Sequence, residues 1–147
     1  MSAATGEKSV SSEDRSLVDW TVFTRARSEL GAGFVRILGY FREDGVKSVA
    51  AIETAMRAQN AAAMVIPAHT LKGESRQFGA EPLGLAAERI EMIARRCVED
   101  RDTPDEALEH VVSLRSLFEN TLSILEREAN PLVERRPPAA SFGRRAI

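Results

Sequence analysis

Apolar residues recur at intervals of three and four along most of this 147-residue chain, and this spacing limits the folds that it can adopt. The clearest stripe comprises Phe34, Ile37, Leu38, Phe41, Val49, Ile52 and Met56. Because an α-helix turns by about 100° per residue, residues at this spacing share one face and can pack against a core. No stretch of useful length alternates apolar and polar residues as a half-buried strand does. The sequence therefore predicts an all-α protein.

Glycine, proline and capping residues divide this pattern into separate helices. The first helix is predicted to begin near Ser16–Asp19, where either end residue can cap it, and to end at Gly31 and Gly33. Gly45 lies on the long apolar stripe, where glycine costs a helix roughly 1 kcal/mol relative to alanine. We favour one long helix that can bend at Gly45 over two shorter helices. Pro67 lies inside the third predicted helix. Because proline removes a backbone donor, we expect a kink there rather than a helix whose regular part starts at Ile66–Pro67.

Two further helices are predicted after residue 80. Gly79 is a plausible stop for the third helix, and the fourth follows it directly. Thr103, Pro104 and Glu106 predict a capping box with proline at the first helical position of the last helix. The resulting architecture is a bundle of four or five helices in up-down order, joined by short loops.

The two ends of the chain lack the apolar period. Residues 1–15 are mostly small, polar and charged, and residues 130–147 are basic and rich in proline. Segments of this composition cannot bury enough apolar surface to fold. We therefore predict a helical bundle over residues 16–129 between a flexible N-terminus, 1–15, and a flexible basic tail, 130–147.

The composition argues against several classes of protein. The net charge of −2 does not indicate bulk binding of nucleic acid, which strongly basic domains favour. Cys97 is the only cysteine, so neither an intrachain disulfide nor a thiolate metal cluster is expected, and the two histidines lie too far apart to suggest a metal site. The N-terminus lacks the apolar segment of a secretory signal, and no apolar run is long enough to span a bilayer. We therefore expect a cytoplasmic protein with no bound metal.

The stretch from Ala68 to Gly79 carries the most distinctive chemistry. On a helix, His69, Lys72, Gly73 and Arg76 fall within one narrow sector. Roughly opposite lie the residues expected to pack, which are Met64, Ala68, Leu71, Ser75 and Phe78. The histidine is therefore predicted to point outward, beside two cations and a patch of bare backbone.

A histidine displayed in this way suits phosphoryl transfer. The neutral, nucleophilic form of imidazole is available at cell pH, and phosphoryl transfer needs mainly positioning and nearby positive charge. Lys72 and Arg76 can supply that charge. Gly73 leaves room for another protein to bring its own catalytic site close to the imidazole. Ser75 is small and faces the core, so that neighbouring helices can approach tightly.

The segment HTLKGESRQFG, residues 69–79, resembles the signature H-x-L-K-G-x-[SA]-x-x-[hydrophobic]-G of histidine phosphotransfer (HPt) domains. The helical pattern from about residue 19 to 128 fits the fold of that family, an up-down four-helix bundle with an additional N-terminal helix. The resemblance implies that Nε2 of His69 accepts a phosphoryl group from a receiver-domain aspartate and passes it to another response regulator. It also implies that Lys72 stabilises the phosphoryl group and that Gly73 permits docking of the receiver.

The resemblance further implies a site that extends to the next helix. Glu91 and Arg95 lie where related proteins place polar residues near the histidine. The implied partners are response-regulator receiver domains and a sensor or hybrid histidine kinase. The receiver would bring Mg²⁺, and this chain would need no cofactor of its own. A monomer is expected, because one bundle buries its own apolar stripes.

Pro67 and Glu74 depart from the family pattern. Pro67 can change how the helix presents His69, and Glu74 places an acid where a small residue is common, which can influence the choice of partner.

Two other functions remain open at this point. The chain could be the histidine-bearing dimerisation domain of a sensor kinase, or a helical adaptor without phosphotransfer. Autophosphorylating domains usually carry an acid directly after the histidine, whereas Thr70 follows His69 here. The sequence also contains no glycine-rich nucleotide-binding lobe. We therefore prefer a phosphorelay intermediate that lacks autokinase activity.

Overall fold

The computed structural model describes residues 16–129, and our predictions for residues 1–15 and 130–147 lie outside that range. Five α-helices follow one another within residues 20–129. They are α1 (Trp20–Leu30), α2 (Phe34–Arg57), α3 (Ala61–Gln77), α4 (Glu81–Asp100) and α5 (Leu108–Ala129). Short 3₁₀ turns, Gly31–Gly33 and Asp105–Ala107, precede α2 and α5. The prediction of an all-α chain is confirmed.

Helices α2 to α5 form the four-helix bundle, and α1 is the additional N-terminal helix. Each bundle helix packs against the next along the chain, and α2 also packs against α5, which closes the bundle. Helix α1 contacts α2 and α3 near one end. The predicted up-down arrangement with an extra helix is therefore confirmed, and α3 and α4 share the most extensive contact of the bundle.

The apolar stripes predicted from the sequence form one core. Side chains with almost no exposed surface include Phe41, Ile52, Met64, Leu71, Phe78, Leu83, Ile90, Leu114 and Leu125. The ring of Phe41 lies between those of Phe78 and Phe118, with centroid separations of 5.5 and 5.8 Å. Cys97 is also buried. The core therefore holds the bundle from within and leaves the outer helix faces free.

Helix α2 continues through Gly45 from Phe34 to Arg57, so the prediction of one long helix rather than two shorter ones is confirmed. The ring of Phe118 on the facing helix, α5, occupies the space where a side chain at position 45 would lie. A β-carbon on Gly45 would lie 2.5 Å from Cζ of Phe118. Glycine is therefore required here for the close approach of α2 and α5.

Local backbone chemistry fixes the start of α1 and the end of α3. The carboxylate of Asp19 accepts hydrogen bonds from the backbone N–H groups of Thr21 and Val22, as the predicted N-cap requires. Gly79 ends α3 with a positive φ of 81°. Its carbonyl also accepts a 2.7 Å hydrogen bond from the backbone N–H of Asp19. Gly79, which ends α3, thus also anchors the start of α1.

The capping box predicted at residues 103–106 is wrong. The 3₁₀ turn Asp105–Ala107 occupies that region, Pro104 makes no side-chain cap, and α5 begins at Leu108. Ala107 donates its backbone N–H to the carbonyl of Pro104 and is fully buried, so packing of Ala107 determines the local conformation. Pro67 lies inside α3, which is continuous from Ala61; the kink expected there stays a prediction.

Candidate functional site

Helix α3 presents His69 on the outside of the bundle. Asn60 caps the helix by accepting a hydrogen bond from the backbone N–H of Ala63, so the helix begins about two turns before the histidine. The predicted inner face is confirmed, since Met64, Ala68, Leu71, Ser75 and Phe78 are all fully buried. The side chain of His69 is 57% exposed. A rigid, buried inner face therefore holds an accessible imidazole.

The carboxylate of Glu91 lies directly beneath this imidazole. Glu91 belongs to α4, and its Oε2 is 3.0 Å from Nδ1 of His69. The same carboxylate lies 2.9 Å from Nζ of Lys72, through Oε1, and 2.9 Å from Nε of Arg95, through Oε2. The Glu91 side chain is only 6% exposed. One buried acid thus connects the histidine with two cations.

The charge of Glu91 determines which nitrogen of the imidazole is available. Burial raises the pKa of a carboxyl group, but here hydrogen bonds from Lys72, Arg95 and His69 outweigh it and lower the pKa of Glu91 to about 2. A carboxylate can only accept hydrogen bonds, so Nδ1 of His69 must be the donor. In the neutral ring, Nε2 then carries the free electron pair and faces outward.

Lys72 lies one turn after His69 and is held in place. Its side chain is 24% exposed, and its ammonium group is paired with Glu91 rather than extended into solvent. Arg95 reaches the same carboxylate from one turn along α4, and more than half of its side chain is exposed. The structure therefore brings together four of the predicted site residues, His69, Lys72, Glu91 and Arg95.

Gly73 lies one turn beyond the histidine on the exposed surface. No heavy atom lies within 4 Å of the position that a β-carbon on Gly73 would occupy. Glycine in a helix interior costs roughly 1 kcal/mol relative to alanine. Packing within the described residues gives no reason for that cost.

Arg76 has different partners from those of the Glu91 cluster. Its guanidinium group lies 2.8 Å from Glu88 and 3.1 Å from Glu81, both on α4. Two carboxylates therefore already neutralise its charge, and its predicted contact with a phosphoryl group would require it to leave them. Ser75 is buried in the core as predicted, and Gly79 ends the helix.

Two exposed apolar side chains lie close in the sequence to residues of the site, and the sequence did not single them out. Ile66, one turn before His69, is 68% exposed, and Met92, next to Glu91, is 60% exposed. Both side chains could add apolar area to a contact that covers His69, although Val112, elsewhere in the sequence, is more exposed still at 73%. Ile66 could have been found, since it shares the helical sector of His69 and Gly73.

No group of three or more His, Cys, Asp or Glu side chains within residues 16–129 could hold a metal ion. None of the helices in this range combines the length and apolar character needed to cross a bilayer.

Comparisons with known proteins agree with this geometry. The family described as "Hpt domain" matches residues 36–128. A search of the curated proteins finds no significant match. Among solved structures, the fold is similar to the crystal structure of histidine-containing phosphotransfer protein B (HptB) from Pseudomonas aeruginosa PAO1, with a TM-score of 0.67 and 22% identity. That likeness covers 77% of this chain and 94% of the other. Since the family match spans more than half of the sequence, the chain belongs to the Hpt domain family.

Proposed function

We propose that this protein is a phosphorelay intermediate in which His69 carries the phosphoryl group. It takes the group from the aspartyl phosphate of a receiver domain and gives it to the aspartate of another response regulator. The observation that carries the proposal is the exposed imidazole whose Nδ1 is bonded to Glu91, because this bond leaves Nε2 free for attack. Membership of the Hpt domain family supports the same function.

The proposed transfer is a displacement at phosphorus. Nε2 of His69 attacks the phosphorus atom as the bond to the aspartate oxygen breaks, and the aspartate leaves as a carboxylate. Negative charge on the equatorial oxygens needs positive charge nearby. Lys72 lies one helical turn from His69 and can turn its ammonium group from Glu91 towards these oxygens. The receiver would supply Mg²⁺, and this chain would contribute no cofactor of its own.

The partner is proposed to dock over Gly73. The open space at its Cα lets a receiver bring its aspartate to within bonding distance of Nε2. The exposed side chains of Ile66, one turn before His69, and Met92, next to Glu91, can add apolar surface to this contact. This combination supports a transient contact with a receiver domain, centred on His69. The donor domain can belong to a hybrid histidine kinase or to a separate regulator.

We further infer that the protein has no autokinase activity and acts as a monomer in the cytoplasm. The α2–α5 bundle buries its own apolar stripes, which supports a monomer. The site contains an acceptor, two cations and a carboxylate, but the described helices provide no phosphate-binding loop for a nucleotide. A lone, buried cysteine fits a reducing compartment.

Parallel incubations with a phosphorylated receiver and with ATP alone test this proposal. We expect acid-labile label on the protein only with the receiver, and no label on the His69→Gln variant. His110→Gln is the matched control, because it removes the other histidine of the chain and should leave transfer intact. Label from ATP alone would identify a kinase, and no label in either incubation would favour the adaptor.

A further inference from the structure

Orienting the ring of His69 does not require a charged group at position 91. A neutral amide at this position could also accept the Nδ1 hydrogen bond and fix the ring. Placing a carboxylate there instead requires the burial of a charge, which costs free energy unless partners compensate for it. Lys72, Arg95 and His69 all converge on this one group. The retained charge therefore suggests a function that an amide could not perform.

The chemistry of the phosphorylated ring supplies such a function. When Nε2 forms the bond to phosphorus while Nδ1 keeps its hydrogen, the ring gains a positive charge. That cation can lose the Nδ1 proton to solvent, which leaves an uncharged ring bonded to phosphorus. The carboxylate of Glu91, 3.0 Å from Nδ1, opposes this loss because it stabilises the cation.

We propose that Glu91 keeps the Nδ1 proton on the phosphorylated ring of His69 and thereby sets how readily the phosphoryl group leaves. This inference rests on the proposed function and deepens it. Glu91 is then a positioning residue in the relay, since it acts through the imidazole and does not contact the phosphoryl group.

The step balances without an added acid or base. A carboxylate oxygen of the second receiver attacks phosphorus, the N–P bond breaks, and its electron pair returns to Nε2. If Nδ1 still carries its proton, the leaving group is a neutral imidazole. If Nδ1 has lost that proton, the leaving group is an imidazolate, which is a much stronger base and leaves more slowly. Glu91 therefore favours the fast route.

The cations around the ring also affect how strongly Glu91 holds the Nδ1 proton. Lys72 on α3 and Arg95 on α4 share the Glu91 carboxylate, and both weaken its hold on the Nδ1 proton. They can move towards the phosphoryl oxygens once these arrive, which leaves the carboxylate to the ring. Arg76 remains with Glu81 and Glu88 and does not share the Glu91 carboxylate. Glu91 is the only carboxylate that contacts the His69 ring among the described residues.

The test compares wild type, Glu91→Gln and the control Glu53→Gln. Glu53 pairs with Arg115 on the opposite α2/α5 face, so the control removes an ion-paired carboxylate outside the site. Each protein is first loaded with phosphoramidate, a small phosphoryl donor that requires no receiver. Transfer to an unphosphorylated receiver is then followed in single turnovers from about pH 6 to about pH 9.

Wild type and Glu53→Gln should keep their onward rate to higher pH than Glu91→Gln. The variant should approach the wild-type rate near pH 6 and fall about tenfold below it near pH 8.5, because a carboxylate at this distance shifts a titration by about one pH unit or more. Glu91→Gln with a pH profile parallel to that of wild type would overturn the proposal, even if every rate were lower.

A second measurement separates this inference from the proposed function. The ¹⁵N NMR signals of phosphorylated His69 report directly whether Nδ1 carries a proton. We expect the pH at which the proton is lost to be higher in wild type than in Glu91→Gln by about one unit. Equal midpoints would overturn the role of Glu91, whatever the receiver does. A failure of every receiver to exchange phosphoryl groups with wild type would instead contradict the proposed function. If Glu91→Gln does not fold, loss of the proton from loaded wild type near pH 6 would still exclude the proposal.

Discussion

Two glycines inside helices of this bundle have opposite surroundings. Gly45 in α2 faces the ring of Phe118, and a β-carbon there would overlap the ring. Gly73 in α3 faces outward, and a β-carbon there would contact nothing. Both positions carry the same intrinsic cost to the helix. Only Gly45 has a compensation that is visible within the described residues.

The difference indicates where the reason for each glycine lies. Gly45 is explained by folding, because it lets α2 and α5 approach. Gly73 lies one turn from His69, next to a lysine held by Glu91, and is explained if another molecule must approach the imidazole. Substitutions at the two positions should therefore separate stability from transfer.

Leucine at either glycine gives the largest expected effects. Gly45→Leu should destabilise the fold by about 3 kcal/mol or more, because it overfills a packed core. Gly73→Leu should leave the fold intact and slow receiver-dependent transfer about 100-fold, because it displaces the partner from the imidazole. Thermal unfolding and single-turnover transfer measure the two quantities. Normal transfer by Gly73→Leu would refute docking over this position.

Lys72→Ala should slow transfer by roughly tenfold to 100-fold, because it removes the cation next to the transferred group. Its effect on stability should be about 1 kcal/mol, since the buried Glu91 loses one partner but keeps His69 and Arg95. The matched control is Lys47→Ala, which removes an exposed lysine from α2. Equal transfer by both variants would show that Lys72 has only a structural role.

Alanine at the two glycines should change stability in opposite directions. Gly73→Ala gains helix propensity without a clash and should raise the unfolding free energy by about 0.5–1 kcal/mol. Gly45→Ala should lower it by roughly 1–2 kcal/mol, because Phe118 must move. Denaturant titrations at constant pH give both values. If both variants changed the unfolding free energy in the same direction, the two glycines would not differ in their surroundings as described.

Glu74, next to Gly73, provides the smallest expected effect. Burial, together with the neighbouring carboxyl of Asp44, raises the pKa of Glu74 from 4.5 to about 7. The folded state then binds more protons than the unfolded state between about pH 4.5 and 7, so this contribution to stability is complete below that window and lost as pH rises through it. Because the side chain is only partly buried, roughly 0.5 kcal/mol is expected.

Unfolding of wild type and Glu74→Gln at about pH 5 and about pH 8 tests this expectation. The stability of wild type relative to the variant should fall between the two values of pH. A rise instead would mean that the carboxylate form of Glu74 is the stabilising one in the folded protein.

The sequence predicted the fold better than it predicted the contacts. Apolar spacing suffices for the helices, because periodicity is a local property, and the motif around His69 suffices for its outward face. The partner of Gly45 could not be inferred, since Phe118 meets it only after α2 and α5 have packed. The capping box failed for a related reason: burial of Ala107 outweighs a local signal.

The same difference between local spacing and packing explains why only part of the site could be predicted. His69, Lys72 and Gly73 share one helix, so their relation follows from helical geometry alone. The position of Glu91 beneath the ring depends on how α3 packs against α4, which spacing along the chain does not give. Its pairing with Lys72 likewise emerges only in three dimensions, as does the capture of Arg76 by Glu81 and Glu88.

The most direct test of the central claim is to identify the phosphorylated atom. After incubation with a phosphorylated receiver, ³¹P–¹⁵N NMR of ¹⁵N-labelled protein reports which nitrogen is bonded to phosphorus. We expect a single bond, to Nε2 of His69. Phosphorus on Nδ1 of His69, on His110 or on any other residue would contradict it.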